Sequence, residues 1–181
     1  MRGGRPLDEA IRHRLRAVLA PVRAVYGAMV GSVLLYWVLV QLIRKVGQLP
    51  RGRDVFTAVD SMRYPLYVLG AAACVAVVVM RRRVLDPRRV ISRARGQNLP
   101  EILSALTSGQ VVVFALGEVP AILGLALYFV GGYLVDFYVL AALSMVSFAM
   151  AYPSASEWEQ ALLRLRAARP ELFTPPGTPS S

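Results

Sequence analysis

Residues 109–152 read GQVVVFALGEVPAILGLALYFVGGYLVDFYVLAALSMVSFAMAY. Two apolar runs, about Gly109 to Val130 and about Tyr133 to Tyr152, are separated only by Gly131–Gly132. A helix needs about 20 apolar residues to cross the hydrocarbon core of a bilayer, and each run has that length. In lipid a segment must satisfy its backbone N–H and C=O groups internally, so helix is the default. Strands of a membrane barrel would appear as short alternating segments, and these runs do not alternate. The stretch predicts a tight hairpin of two transmembrane helices.

Outward from it, two more runs have spanning character: about Val25 to Ile43, and a shorter one from about Tyr64 to Met80. The expected fold is all-α, an integral membrane four-helix bundle. Composition agrees. The chain has 181 residues, is 56% hydrophobic and carries a formal net charge of +10, with a mean hydropathy of +0.49. High charge with high hydropathy suits charges in loops and apolar residues in lipid. The basic residues flank apolar spans, so anionic lipid headgroups are the expected partner rather than nucleic acid. Cys74 is the only cysteine and His13 the only histidine, which excludes an intrachain disulfide and any Cys- or His-rich metal site. Lys45 is the only lysine among many arginines, a compositional hint of a GC-rich bacterial genome.

The domain reading is a basic segment 1–24, a four-span domain 25–152, an amphipathic helix 153–170 and a disordered tail 171–181 rich in Pro, Ser and Thr. Ile11, Leu15, Val18 and Leu19 fall at helical spacing among arginines, which suits a helix lying on the membrane surface. The basic N-terminal segment leads into the first run without a small-residue cleavage site, so that run is read as an uncleaved span. At the other end Pro153 stops the fourth span. Ser154 and Glu157 make a capping-box pattern, and Trp158, Ala161, Leu162 and Leu165 follow on one helical face, ending near Ala168.

Orientation follows the arginines. Six precede the first span, and seven lie between spans two and three, among them Arg81, Arg82, Arg83, Arg88 and Arg89. These topology anchors place both termini on the cytoplasmic side of a bacterial inner membrane. The first loop, with Arg44, Lys45, Arg51, Arg53 and Arg63, pulls mildly the other way.

Glu118 is the sharpest feature, mid-span in FALGEVP. An ionised carboxylate there costs about 2.5–3.5 kcal/mol on insertion scales, so burial favours the neutral acid. A carboxyl reachable from one side can load and release a proton, which makes Glu118 an ion-binding candidate. The other reading is a protonated acid hydrogen-bonded to a neighbouring helix, or one that patches the kink at Pro120, whose ring disturbs the carbonyl of Leu116. Asp136, just past the Gly-Gly turn, reads as a solvated carboxylate at a helix start. Small residues mark packing faces: Gly27 and Gly31 in the first span, and Gly117, Gly124 and Gly131 at seven-residue intervals in the third. Contacts within the chain are the first expectation, contacts between copies the second. Tyr26, Tyr36, Trp37, Tyr64, Tyr133 and Tyr152 fall near span ends as an aromatic belt would.

The third span resembles the rotor-ring c subunits of rotary ATP synthases between about Phe114 and Leu127. There a mid-membrane carboxyl in a small-residue helix is followed by a glycine six residues on, as Glu118 is followed by Gly124 and then Leu125. The resemblance implies that Glu118 matches the ion-carrying carboxyl. The chain departs from that family in length, in its bulky first two spans and in a proline two rather than three residues after the acid, so no rotor function is carried over. As a whole it is similar to a group of small bacterial four-span membrane proteins with an acid-Pro element, a Gly-Gly turn, and a proline followed by Trp-Glu, here Pro153 and Trp158-Glu159. That resemblance implies no activity.

The sequence contains no nucleophile–base pair, nucleotide loop or metal cluster. The expectation is therefore not an enzyme, with no cofactor. It is a multi-pass accessory or scaffold component working with other membrane subunits or as a homo-oligomer. The alternative is a small proton- or sodium-handling subunit using Glu118.

Overall fold

The structure, a computed structural model, describes residues 9–47, 56–84, 86 and 99–168. Among them are helices α1 (Glu9–Val46), α2 (Phe56–Val84), α3 (Leu99–Gly131), α4 (Leu134–Ala151) and α5 (Ala155–Ala168), and no strand. The first four are long and apolar enough to cross a membrane. The protein is a helical membrane protein. Arg88, Arg89 and the 171–181 tail lie outside the described residues.

The helix bounds depart from the expected spans in one direction. At 1.5 Å per residue the 38-residue α1 measures about 57 Å, and the 33-residue α3 about 50 Å, against a hydrocarbon core of about 30 Å. Only α4, at 18 residues, stays within a residue of its expected limits. The reason is propagation. Once a helix is nucleated, each further residue adds a hydrogen bond for one pair of dihedrals, and nothing between Arg23 and Val25 breaks it. Pro21 lies inside α1 without ending it. The described part of the basic segment 1–24 is the start of α1.

The chain forms two compact units. One takes residues up to Ala24, Met80–Val111 and the chain from Pro153 onward. Its core is assembled from amphipathic faces: Leu15 and Leu19 on α1, Ile102 and Leu106 on α3, and Trp158, Leu162 and Leu165 on α5 are all nearly fully buried. The face of α5 is the expected one. Its partner is protein rather than lipid, because two apolar stripes bury each other as well as either would bury in a membrane surface. Ser154 caps α5, accepting the Glu157 N–H at 3.2 Å. The Glu157 side chain turns instead to Arg81, whose Nη2 donates to Oε2 at 2.6 Å. Of the described anchors, Arg81 therefore docks α5, while Arg82 and Arg83 are exposed.

The second unit takes Val25–Val79 and Val112–Tyr152. Its α1, α3 and α4 portions have about 20 residues each, roughly 30 Å of helix. Gly132 makes the α3–α4 turn. Its φ of 70° is the left-handed conformation that glycine tolerates. Its N–H closes on the Tyr128 carbonyl at 2.9 Å, and its carbonyl takes the Leu134 N–H at 2.9 Å. The two arms then pack through small residues. A Cβ added to Gly124 would lie 3.0 Å from Leu140 Cβ and 3.2 Å from the Phe137 backbone, and one on Gly117 would meet the Phe148 ring at 3.5 Å. Gly131 is the last residue of α3. Gly27 and Gly31 differ from the first expectation: a Cβ on either meets nothing within 4 Å, so they serve no close contact within the described chain. The hairpin is the centre of this bundle, with 44% and 39% of the apolar stretches of α3 and α4 buried against 11% and 17% for α1 and α2.

Candidate functional site

The site lies in the second unit, where α1 meets α3. Ser32 and Tyr36 stand four residues apart on α1 and so share a face. The Ser32 hydroxyl lies 2.5 Å from Glu118 Oε1 and the Tyr36 hydroxyl donates to the same oxygen at 2.7 Å. All three residues are half-buried. Oε2 takes no hydrogen bond among the described residues.

Hydrogen counting shows that this arrangement suits either protonation state. Ser32 also lies 2.7 Å from its own helix carbonyl at Met29, but a hydroxyl has a single hydrogen to donate. With the carboxyl ionised, Ser32 and Tyr36 both donate to Oε1. With a proton on Oε1, the acid donates to Ser32, Ser32 donates to the Met29 carbonyl, and Tyr36 still donates to the acid. A proton on Oε2 instead leaves both hydroxyls donating to Oε1 and makes Oε2 a donor.

Layers of ring and apolar side chains close the site along the bundle. One turn before Glu118 on α3, Phe114 meets Tyr26 edge-on at 5.4 Å, and Tyr26 also meets Phe148 at 6.0 Å and Tyr152 at 5.4 Å. Towards the Gly-Gly turn, Val40, Tyr128 and Phe137 form a buried cluster with Leu125 and Tyr36 packed against it. Tyr26 and Tyr36 are therefore half-buried within the bundle, whereas Trp37, Tyr64 and Tyr152 are exposed.

Glu118 does not patch the proline kink. Its Oε1 takes the hydroxyls of α1. The α3 carbonyl that receives help is that of Gly117, from the Ser144 hydroxyl of α4 at 2.6 Å. Pro120 is itself buried and lies on the α2 side, 3.9 Å from where a Cβ on Gly70 would stand.

Asp136 corrects the sequence expectation most clearly. It is 4% exposed and not solvated. Arg63 grips it in a fork, Nε to Oδ2 at 2.8 Å and Nη2 to Oδ1 at 3.0 Å, and the Tyr67 hydroxyl donates to Oδ1 at 2.8 Å. The guanidinium carbon lies 4.5 Å from the Tyr133 ring centre, a cation–π contact. Arg63 and Tyr67 stand four residues apart on α2, a signal present in the sequence whose target was not. Ser32 and Tyr36 carry the same four-residue signal on α1.

Among the described residues no group of three or more His, Cys, Asp or Glu side chains is placed to hold a metal ion. No protein family, no curated protein and no solved structure matches this chain.

Proposed function

We propose that this protein is an accessory or scaffold component of a bacterial inner-membrane assembly, acting through its helix faces rather than on a small substrate. The observation that carries the reading is the use made of polar side chains in the spanning unit. They join one helix to another: Glu118 to Ser32 and Tyr36, Asp136 to Arg63 and Tyr67, Gln41 to Tyr138, and Ser144 to the Gly117 carbonyl. Such bonds are the glue of membrane bundles. They leave broad apolar faces on α1 and α2, where Leu35 and Val68 are more than 60% exposed, for lipid, other subunits or copies of the chain. Arg82 and Arg83 suit anionic headgroups. The experiment is isolation of the full chain from its native membrane in mild detergent, with its complex mass measured. A defined complex with other membrane proteins is expected. A monomer with no associated protein sinks the reading.

A second reading, proton or sodium handling at Glu118, is favoured by the hydrogen arithmetic above. Glu118→Gln retains an acceptor for both hydroxyls but cannot titrate. Full function in that variant eliminates ion handling, and loss of ion flux in reconstituted vesicles supports it.

A further inference from the structure

We infer that the groove between the first turns of α1 and α3 binds one phospholipid with an ethanolamine headgroup. The groove belongs to the first unit, apart from Glu118, and its occupant is independent of the accessory reading. It has a volume of about 710 Å³ and is walled by Ala17, Val18 and Pro21 of α1 and by Leu103, Ser104 and Ser108 of α3. Pockets that take small molecules measure roughly 300–1,000 Å³.

Its depth follows from α3. Pro100–Gly131 is one continuous apolar stretch that ends at the Gly-Gly turn. At 1.5 Å per residue, Ser108 stands about 35 Å and Ser104 about 40 Å from Gly131 along the helix. A bilayer has about 30 Å of hydrocarbon, and about 40–45 Å with both headgroup layers. With Gly131 at one hydrocarbon boundary, Ser108 falls in the opposite headgroup layer and Ser104 at its outer edge.

The polar groups of the walls select the headgroup. Ser104 and Ser108 share a face of α3, are exposed and take no hydrogen bond among the described residues. Thr107 beside them returns its hydroxyl to the Leu103 carbonyl. On the other wall Pro21 interrupts the ladder of α1. It has no N–H, so the Ala17 carbonyl lacks its helical donor. Glu101, one turn before Ser104, is exposed and has no ion pair among the described residues. Arg14 stands three residues before Ala17 and seven before Pro21, the spacing of one helical face. Free donors and free acceptors thus stand side by side at the depth of lipid headgroups. A phosphoethanolamine group meets both sets. Its phosphate and ester oxygens accept from the serines and suit the arginine. Its ammonium donates to the Ala17 carbonyl and neutralises Glu101. A choline group has no N–H for that carbonyl, and a glycerol headgroup has no cation for Glu101.

Native mass spectrometry of the full chain in detergent tests this, with ethanolamine, choline and glycerol phospholipids of identical acyl chains. One ethanolamine lipid per chain should be retained over either competitor by roughly fivefold, the worth of about one net hydrogen bond. Pro21→Ala gives the Ala17 carbonyl a helical donor and should erase the preference over choline. Glu101→Gln removes the carboxylate and should erase the preference over glycerol. Ser104→Ala combined with Ser108→Ala should weaken retention of all three lipids. All four side chains are exposed, so helicity and thermal stability should hold in each variant. Equal retention of the three lipids, or either preference surviving its own substitution, overturns the proposal. In native membranes a photo-crosslinking residue at Val18 should form a lipid adduct. An adduct to a second copy or to another protein in its place overturns the lipid occupant, and leaves the accessory reading intact.

Discussion

The Tyr36 hydroxyl donates to Glu118 Oε1 at 2.7 Å, across 82 residues of sequence, and with Ser32 it ties α1 to the α3–α4 hairpin. Interhelical hydrogen bonds of this kind average about 0.6 kcal/mol and reach about 1.7 kcal/mol in membrane bundles. Tyr36→Phe and Ser32→Ala are each expected to lower stability within that range, measured by equilibrium unfolding in mixed micelles. Glu118→Leu should cost more than either, because it strands both hydroxyls. A Tyr36→Phe variant as stable as wild type while Glu118→Leu unfolds would mean that Ser32 alone holds the contact.

The Arg63–Asp136 fork predicts strong coupling. Removing one partner of a buried ion pair costs roughly 3–5 kcal/mol, since the other charge stays buried. Arg63 is 38% exposed, which reduces the cost of stranding it in Asp136→Ala. Arg63→Ala strands the better buried Asp136 and should be the more damaging single change. The double variant should be less damaging than the sum of the singles, by roughly 1–3 kcal/mol. Additive losses in a double-mutant cycle would show that the two charges act independently.

The glycines fall into two groups with opposite expected outcomes. Gly124→Ala places a methyl 3.0 Å from Leu140 Cβ and against the Phe137 backbone, where little can move. A loss of about 1–3 kcal/mol is expected, as for overpacked cores. Gly27→Ala and Gly31→Ala meet open space and should be neutral or gain up to about 1 kcal/mol from helix propensity. Should Gly27→Leu dissociate a native complex without altering monomer stability, the open face of α1 is a contact between proteins.

The two tryptophans report on the terminal helix. Trp37 is 49% exposed within the α1 span and Trp158 is 1% exposed. Lipids brominated along their tails should quench Trp37 strongly and Trp158 weakly, read in the Trp158→Phe and Trp37→Phe variants respectively. Comparable quenching would place the Trp158 face of α5 in contact with lipid. Trp158→Ala should cost roughly 3–5 kcal/mol and open α5 to limited proteolysis.

The sequence by itself determined the four spans, the hairpin through Gly131–Gly132, the cap at Ser154 and the apolar face of α5. Each follows from local composition, periodicity or turn chemistry, which act over a few residues. It also singled out Glu118, because an acid inside an apolar run stands out without any partner. Tertiary structure alone decided what that acid touches, which glycines pack and where the terminal helices bury their stripes. The same structure took Asp136 from a helix-start carboxylate to a buried, forked ion pair. Ser32 and Tyr36, or Arg63 and Tyr67, are each legible as a pair on one helix face. Which helix that face meets depends on contacts more than 60 residues apart in the chain, and helical periodicity carries no information at that range.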